Sequence, residues 1–445
     1  MTEESSIPEP PTKWRDIIKW FGPGWVFAAC MIGSGELILT TRTASLYQWG
    51  FLWCVPIIIF CKAISTSSML RYGAVTGNNF LNDLWHIKWL KWIVPYCMIS
   101  SLLYLTGVGA HLGVAAGTLN LLIPNSVFGI DVWIFILVIM VAAITFSGVY
   151  GFLEKFMIGL TLLISFGIIA VVVLITPSVS EMLPGLVPQI PPNASEDVAI
   201  ITWIGLLGWL GAGWGPTLGY TWWAEEKGSG MYSSKKKISI ENLNGSDINR
   251  LRGWLKTVFL DLSVPYIITF IVSLCLYIAG AVILFPRGLH PTGLLLVETL
   301  SQLFTDTIGP WAYYLFLSGS FAILISSLVG VVDGLSRSIK ECLIIIRPSI
   351  TDKLEEKNLL RLIVIIALVV PLVFLLLVEQ PIWLLLISSL MFAPAIGIIF
   401  FSSTYLCLKL PKELRPNLFV ISIAIGTAIV MISTSIWQLI VTYAI

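Results

Sequence analysis

Glu36 is the residue to explain first. It follows Gly33, Ser34 and Gly35 in the stretch "CMIGSGELIL", residues 30–39, inside the first long apolar segment of a 445-residue chain. Glycine weakens a helix, and an ionised carboxylate is expensive in lipid. A membrane helix that carries both near its middle is expected to break there. An unwound segment frees backbone groups: the half-helix after the break offers N–H donors, and the half before it offers carbonyls. Such a place can hold a cation, an anion or a zwitterion, and side chains decide which. For a metal, Glu36 supplies a hard carboxylate, and the hydroxyls of Ser34 and Thr217 add oxygen ligands. That set suits magnesium or manganese better than iron. For an organic solute such as an amino or carboxylic acid, the Gly-Ser-Gly amides suit a carboxylate, because glycine permits close approach. The plainer alternative is a structural ion pair between Glu36 and Arg42.

A later segment shares the oddity. "GWLGAGWGPTLGY" carries Gly208, Gly211, Gly213, Gly215 and Pro216 within one apolar run. Residues 33–36 and 213–217 are therefore expected to be unwound, with Gly33, Ser34, Gly35, Glu36, Gly213, Trp214, Gly215, Pro216 and Thr217 as the candidate substrate-binding set and Glu36 as the one candidate metal ligand. Trp214 sits within the second break. Trp209, Tyr220, Trp222 and Trp223 line a pocket or form an interfacial belt. The bland account of both segments is close helix packing through small residues.

The elements that must position these residues are membrane helices. The chain is 57% hydrophobic and 11% charged, with mean hydropathy +0.91, against about 25% charge in a soluble domain. Apolar runs fall near 22–46, 51–70, 92–122, 132–148, 154–176, 198–223, 258–285, 310–335, 358–378, 382–408 and 418–443, which predicts an all-α protein of about eleven transmembrane helices. The shorter amphipathic segment 291–306 is expected on the outer surface. With the N-terminus in the cytosol, the Lys and Arg residues outside the spans fall on the cytosolic side, and the exterior loops hold only Arg287. Arg42 and Lys62 lie within spans, and Lys62 is expected to snorkel or pair. This pattern puts the C-terminus outside. The polar, Pro-rich start lacks the features of a signal peptide and reads as a cytosolic tail. The seven cysteines have no paired spacing and read as packed thiols. Net charge of +1 gives no basic surface for nucleic acid.

The two interrupted helices are the first and sixth, five spans apart. Five is odd, so the second set of five runs inverted relative to the first. Interrupted helices at matching positions of inverted halves point to a secondary transporter with its site at the breaks. The expected organisation is a tail at 1–21, a first five-helix repeat at 22–176, a second, inverted repeat at 177–409 with a cytosolic loop at 224–256, and an extra helix at 410–445.

Here the chain resembles the Nramp family of divalent-metal transporters, which have the LeuT-type fold of the amino-acid–polyamine–cation superfamily. "GPGWVFAACMIGSGELILTTRTASLYQWGFLW" has the frame of that family's first helix, "RYGAVTGNNF" of the end of its second, "TLNLLIP" of the end of its third and "GVYGFLEKFM" of the start of its fifth. "GLVPQIPP" with "GLLGWLGAGWGPTLGY" is similar to its sixth, and "GPWAYYLFLSGSFAILISSLVGVVDG" to its eighth. The family's metal-binding Asp-Pro-Gly-Asn corresponds to Gly33, Ser34, Gly35 and Glu36, so the Asp is gone and the Asn is a Glu. Its Met-Pro-His corresponds to Gly215, Pro216 and Thr217, so the soft thioether that favours transition metals is absent. Its proton-handling pair in helix three corresponds to Val108 and His111. The resemblance thus implies proton coupling through His111, a side chain whose ordinary pKa is about 6.5.

Asp333, in "VVDGLS", either neutralises Arg337 one turn on or serves an inner gate. Arg42 joins His111 and Asp333 as candidates for coupling or gating. Glu154 and Lys155 read as structural at a helix start, and His86 and His290 as loop residues without a specific role. No zinc-protease, nucleophile-elbow or nucleotide-loop motif occurs. An enzyme is therefore not expected, nor is a cofactor. The expected partners are the lipid bilayer and a small solute or cation, with the chain a monomer in the cell membrane. Its reading is a carrier that alternates access, in preference to a channel.

Overall fold

A computed structural model describes residues 7–33, 35–124, 127–147, 177–191, 196–234, 238–290, 309–377 and 381–443, with residue 194 and scattered residues within 155–173 and 297–305. Ser34, Glu154 and Lys235–Lys237 lie outside the described residues, as does most of the segment expected at 291–306. The described chain is almost wholly helical, as a bilayer demands: only a helix or a closed barrel satisfies its backbone without water.

After a short N-terminal helix, α1 (Trp14–Lys19), comes α2 (Pro23–Met31), with proline in its first turn where no N–H is needed. A wide π turn, Gly35–Thr40, runs into α3 (Thr41–Tyr47). Then come α4 (Cys54–Thr76), the short α5 (Phe80–Trp85), α6 (Ile93–Leu122) and α7 (Ile130–Ser147). The second interrupted segment is α8 (Glu196–Trp209) and α9 (Trp214–Lys227). It is followed by α10 (Gly245–Ala279), α11 (Trp311–Ile346), α12 (Glu356–Leu377), α13 (Pro381–Cys407) and α14 (Leu418–Tyr443). Among the described residues, six helices are long and apolar enough to cross a membrane alone. A seventh crossing is the bent pair formed by α2 with Gly35–Tyr47, whose halves meet at 41°.

Local chemistry explains the ends. Gly77 adopts φ +66°, and its N–H closes α4 on the carbonyl of Gly73. Asn79 caps α5 by accepting from Leu81 N–H. α10 starts at Gly245, well inside the 224–256 stretch expected as loop. Asn244 and Asp247 form a reciprocal capping box there, at 2.8 and 3.1 Å. α9 in turn runs to Lys227 before Gly228, at φ +80°, ends it. The polar loop is therefore shorter than composition suggests, because polar residues on helix ends that meet water read as loop.

α6 packs along α11 and α13, and α2 lies against α10, α11 and α9. The two interrupted segments thus sit inside the bundle. The tail is part of the fold as well. Ile7 is fully buried, Trp254 donates its ring N–H to the carbonyl of Pro8 at 2.9 Å, and Arg250 donates to the carbonyl of Ile7.

Candidate functional site

The first break lies between Met31, where α2 ends, and Gly35. The second lies at residues 210–213, between α8 and α9. Gly35 and Glu36 thus open the second half of their segment, and Trp214, Gly215, Pro216 and Thr217 form the first turn of α9 rather than unwound chain. The second break falls N-terminal to its expected position because Pro216 does not break a helix there. In a first turn its missing N–H costs nothing. The turn is made instead by Gly211 at φ +82°, a conformation that suits glycine. A Cβ on Gly211 would also press against Ile59 of α4, at 3.3 Å.

Glu36 joins the two breaks. One carboxylate oxygen accepts the N–H of Gly33 at 3.1 Å, and the other accepts the N–H of Gly211 at 3.0 Å. The side chain is 1% exposed. An anion at the start of a half-helix suits the partial positive charge there. Arg42 does not take part in these bonds, so the structural Glu36–Arg42 pair is not what holds the carboxylate.

The carbonyl side of the second break is held by a residue for which sequence reasoning found no place. The ammonium of Lys62, from α4, donates to the carbonyls of Gly208, Leu210 and Ala212 at 2.9, 2.8 and 2.8 Å. All three of its protons are used. Lys62 does not snorkel; it is 2% exposed and turned into the protein. Across Gly211 it and Glu36 attract each other as opposite charges. The carbonyl side of the first break is held by neutral groups: Ser326 and Ser327 of α11 donate to the carbonyls of Ala29 and Cys30 at 3.0 and 3.1 Å. Two adjacent serines in an otherwise apolar stretch were the available signal. The entry to α2 is pinned as well. Asp261 of α10 accepts the N–H groups of Gly22 and Gly24 at 3.2 and 2.8 Å and the hydroxyl of Tyr220 at 2.8 Å. A lone Asp in an apolar helix was the signal there.

Other expected residues divide between the breaks and elsewhere. His111 reaches the first break: a Cβ on Gly33 would lie 3.2 Å from its Nε2, and its Nδ1 is 3.0 Å from the carbonyl of Gly107. Trp209, rather than Trp214, is the tryptophan that lies against that break. A Cβ on Gly35 would sit 2.7 Å from the Trp209 Cβ, and the ring packs on Tyr104, His111 and Phe392 at centroid distances of 5.0, 5.4 and 5.2 Å. Trp214 turns to α6 and donates to Ser101 at 2.8 Å. Gly213 lies under Tyr104, whose hydroxyl a Cβ would approach to 2.5 Å. Thr217 donates to the carbonyl of Gly213 at 2.7 Å, and Gly215 packs on Leu335 of α11. Asp333 is far along α11. It accepts from Trp223 at 2.9 Å and pairs with Arg337 at 3.0 Å, and Arg337 also reaches Glu226 at 3.1 Å. That network ties α9 to α11 and adds nothing to the breaks. Among the described residues no group of three or more His, Cys, Asp or Glu side chains could hold a metal. A groove of about 660 Å³ between α4 and α10 is lined by apolar residues such as Ile57, Phe60 and Ile267. These are exposed where lipid would lie, so the groove is not part of the site.

Comparison with known proteins agrees with this architecture. Similar solved structures include a manganese transporter of Eremococcus coleocola in complex with an aromatic bis-isothiourea compound. It is 15% identical with a TM-score of 0.68, over 98% of this chain and 90% of that one. A nucleobase-cation-symport-1 family transporter in a closed conformation is 12% identical with a TM-score of 0.55, over 94% and 90%. At these identities the likeness speaks for the LeuT-type fold alone. In sequence, a protein of Populus trichocarpa named metal transporter Nramp1 is 26% identical over 207 residues, which are 44% of this chain and 37% of that protein. The model of the natural resistance-associated macrophage protein-like family, Nramp, matches residues 24–441. With nearly its whole length matched, the chain belongs to the Nramp family, a family of transporters and not of enzymes.

Proposed function

We propose that this chain is a secondary carrier that moves a hard, partly hydrated divalent cation, magnesium or manganese rather than iron, by alternating access at the junction of its two breaks. The observation that carries the reading is Glu36, a buried carboxylate bonded to an amide from each break. Membership of the Nramp family supports a metal substrate. Gly33 and Gly215 stand where that family's resemblance places Asp and Met, and oxygen groups such as Ser327 and Thr217 are what lie near the breaks. Such a set favours hard ions. His111, turned toward Gly33, is the proposed proton-coupling group. The proposed arrangement is two inverted five-helix repeats, 22–176 and 177–409, with the N-terminus cytosolic and the C-terminus outside.

A second reading is favoured by one specific observation: Glu36 and Lys62 already spend their charges on the break backbones. In that reading the substrate is an amino or carboxylic acid. Calorimetry with magnesium, manganese and an amino- and carboxylic-acid panel, on wild type and Glu36→Gln, separates the two. Metal binding that Glu36→Gln weakens at least about tenfold, or about 1.4 kcal/mol, supports the first. Binding of an organic acid that survives Glu36→Gln, with no metal binding, supports the second. Micromolar binding of iron or cadmium overturns both.

A further inference from the structure

We propose that Lys62 is a tethered cation, its ammonium occupying a carbonyl site at the second break that would otherwise take a soluble monovalent cation. Three carbonyl oxygens, from Gly208, Leu210 and Ala212, converge on one point at 2.8–2.9 Å. They converge because Gly211 turns the chain at φ +82° just past the end of α8. A half-helix C-terminus with inward carbonyls is a site for positive charge. The charge comes from α4, with the lysine stem running past Gly211 at 3.8 Å from where a Cβ would stand.

Hydrogen bonding alone does not account for a lysine here. The first break satisfies its carbonyls with two serine hydroxyls, whereas a buried ammonium brings a desolvation cost of several kcal/mol. A lysine stem on a membrane helix also has the option of reaching the interface; this one is turned inward and is 2% exposed. The charge itself is therefore what the position uses. It balances Glu36, which is bonded to the amide of Gly211 between them, and it does so without an ion that could dissociate. The second break then carries its own cation through the transport cycle, whichever solute the carrier moves, and any exchangeable ion must bind elsewhere.

The test is cation rescue of Lys62→Ala in the full-length protein, purified in detergent at constant ionic strength. Melting temperature is followed as choline is replaced by ammonium, potassium or sodium. The expected result is a variant destabilised in choline and restored saturably, by several degrees, by at least one of the small cations, while wild type does not respond. Recovery of the variant only when ammonium is present during purification counts as the same result. A variant that responds to no small cation more than wild type does, or that cannot be recovered in any of these salts, overturns the proposal. Lys62→Gln is the second arm, since it keeps N–H donors without charge. A cation response in that variant supports the tethered cation. Wild-type stability without one shows that donation rather than charge is used, and overturns it.

Discussion

The two breaks face the same physical problem and solve it with different chemistry. Each leaves carbonyls at the end of one half-helix and amides at the start of the next, in a setting where water does not satisfy them. Both give an amide to the single carboxylate of Glu36. Their carbonyls part company: serine hydroxyls of α11 cap the first, and the Lys62 ammonium caps the second. A break held by neutral donors can exchange them for a ligand at modest cost, because a neutral hydrogen bond contributes only about 0.5–1.5 kcal/mol net. A break held by a buried ammonium cannot, since an unpaired buried charge costs far more. The comparison assigns the exchangeable role to the first break and the fixed role to the second.

The largest effect is expected where the breaks touch. Gly35→Leu would put a side chain into the space of Trp209, whose Cβ already lies 2.7 Å from the position of a Cβ on Gly35. The next atoms met are the carbonyl carbon and oxygen of Trp209 at 3.3 Å, so the two segments must separate. Transport into proteoliposomes should be abolished while the protein still inserts and elutes as a single species. Wild-type uptake in this variant would mean that the breaks need not meet. Glu36→Gln comes next. An amide side chain can accept from only one of the two glycines and turns a donor toward the other. A loss of about 1–3 kcal/mol is expected, read as a lower melting temperature than that of wild type. Unchanged stability would break the idea that one carboxylate serves both breaks.

Much of the first break was legible in the sequence, because Gly33, Gly35 and Glu36 are neighbours whose types alone conflict with a continuous helix. The LeuT-type fold followed from hydropathy together with motif order. The partners of the breaks were not legible. Lys62 lies far in sequence from Gly208, and Ser326 farther still from Ala29. A residue's type says what it can bond, but not which way its helix turns it. Lys62 read as a side chain that snorkels or pairs, without a site, for that reason, and Asp261 drew no attention. The position of the second break was misplaced by treating Pro216 as a breaker when the glycine at 211 does the turning.

His111 tests whether the exchangeable break is also the coupled one. Its ring faces Gly33 from α6, with Trp209 beside it and one nitrogen on the carbonyl of Gly107. If it passes protons to that break, His111→Ala should flatten the dependence of uptake on external pH while leaving measurable flux. A variant that keeps the full wild-type profile would reduce His111 to a packing residue and leave the first break uncoupled.

The smallest effects are expected at the serines, and they bear most directly on the contrast between the breaks. Ser326→Ala and Ser327→Ala each remove one neutral donor, from the carbonyls of Ala29 and Cys30 respectively. Neither leaves a charge behind. Each should cost about 0.5–1.5 kcal/mol, seen as a small drop in melting temperature. The double substitution should cost about the sum of the two single ones, since the two bonds go to different carbonyls. Lys62→Ala should cost more than the double serine variant, although it removes one side chain rather than two, because it strips three carbonyls and leaves Glu36 facing no cation. The decisive measurement is the ranking within one thermal-shift series under one buffer. If the serine pair costs as much as Lys62→Ala, the first break is as rigidly held as the second, and the division into an exchangeable and a fixed break fails. If the serine variants also change substrate affinity while remaining stable, the carbonyls they uncover are available to a ligand, as that division requires.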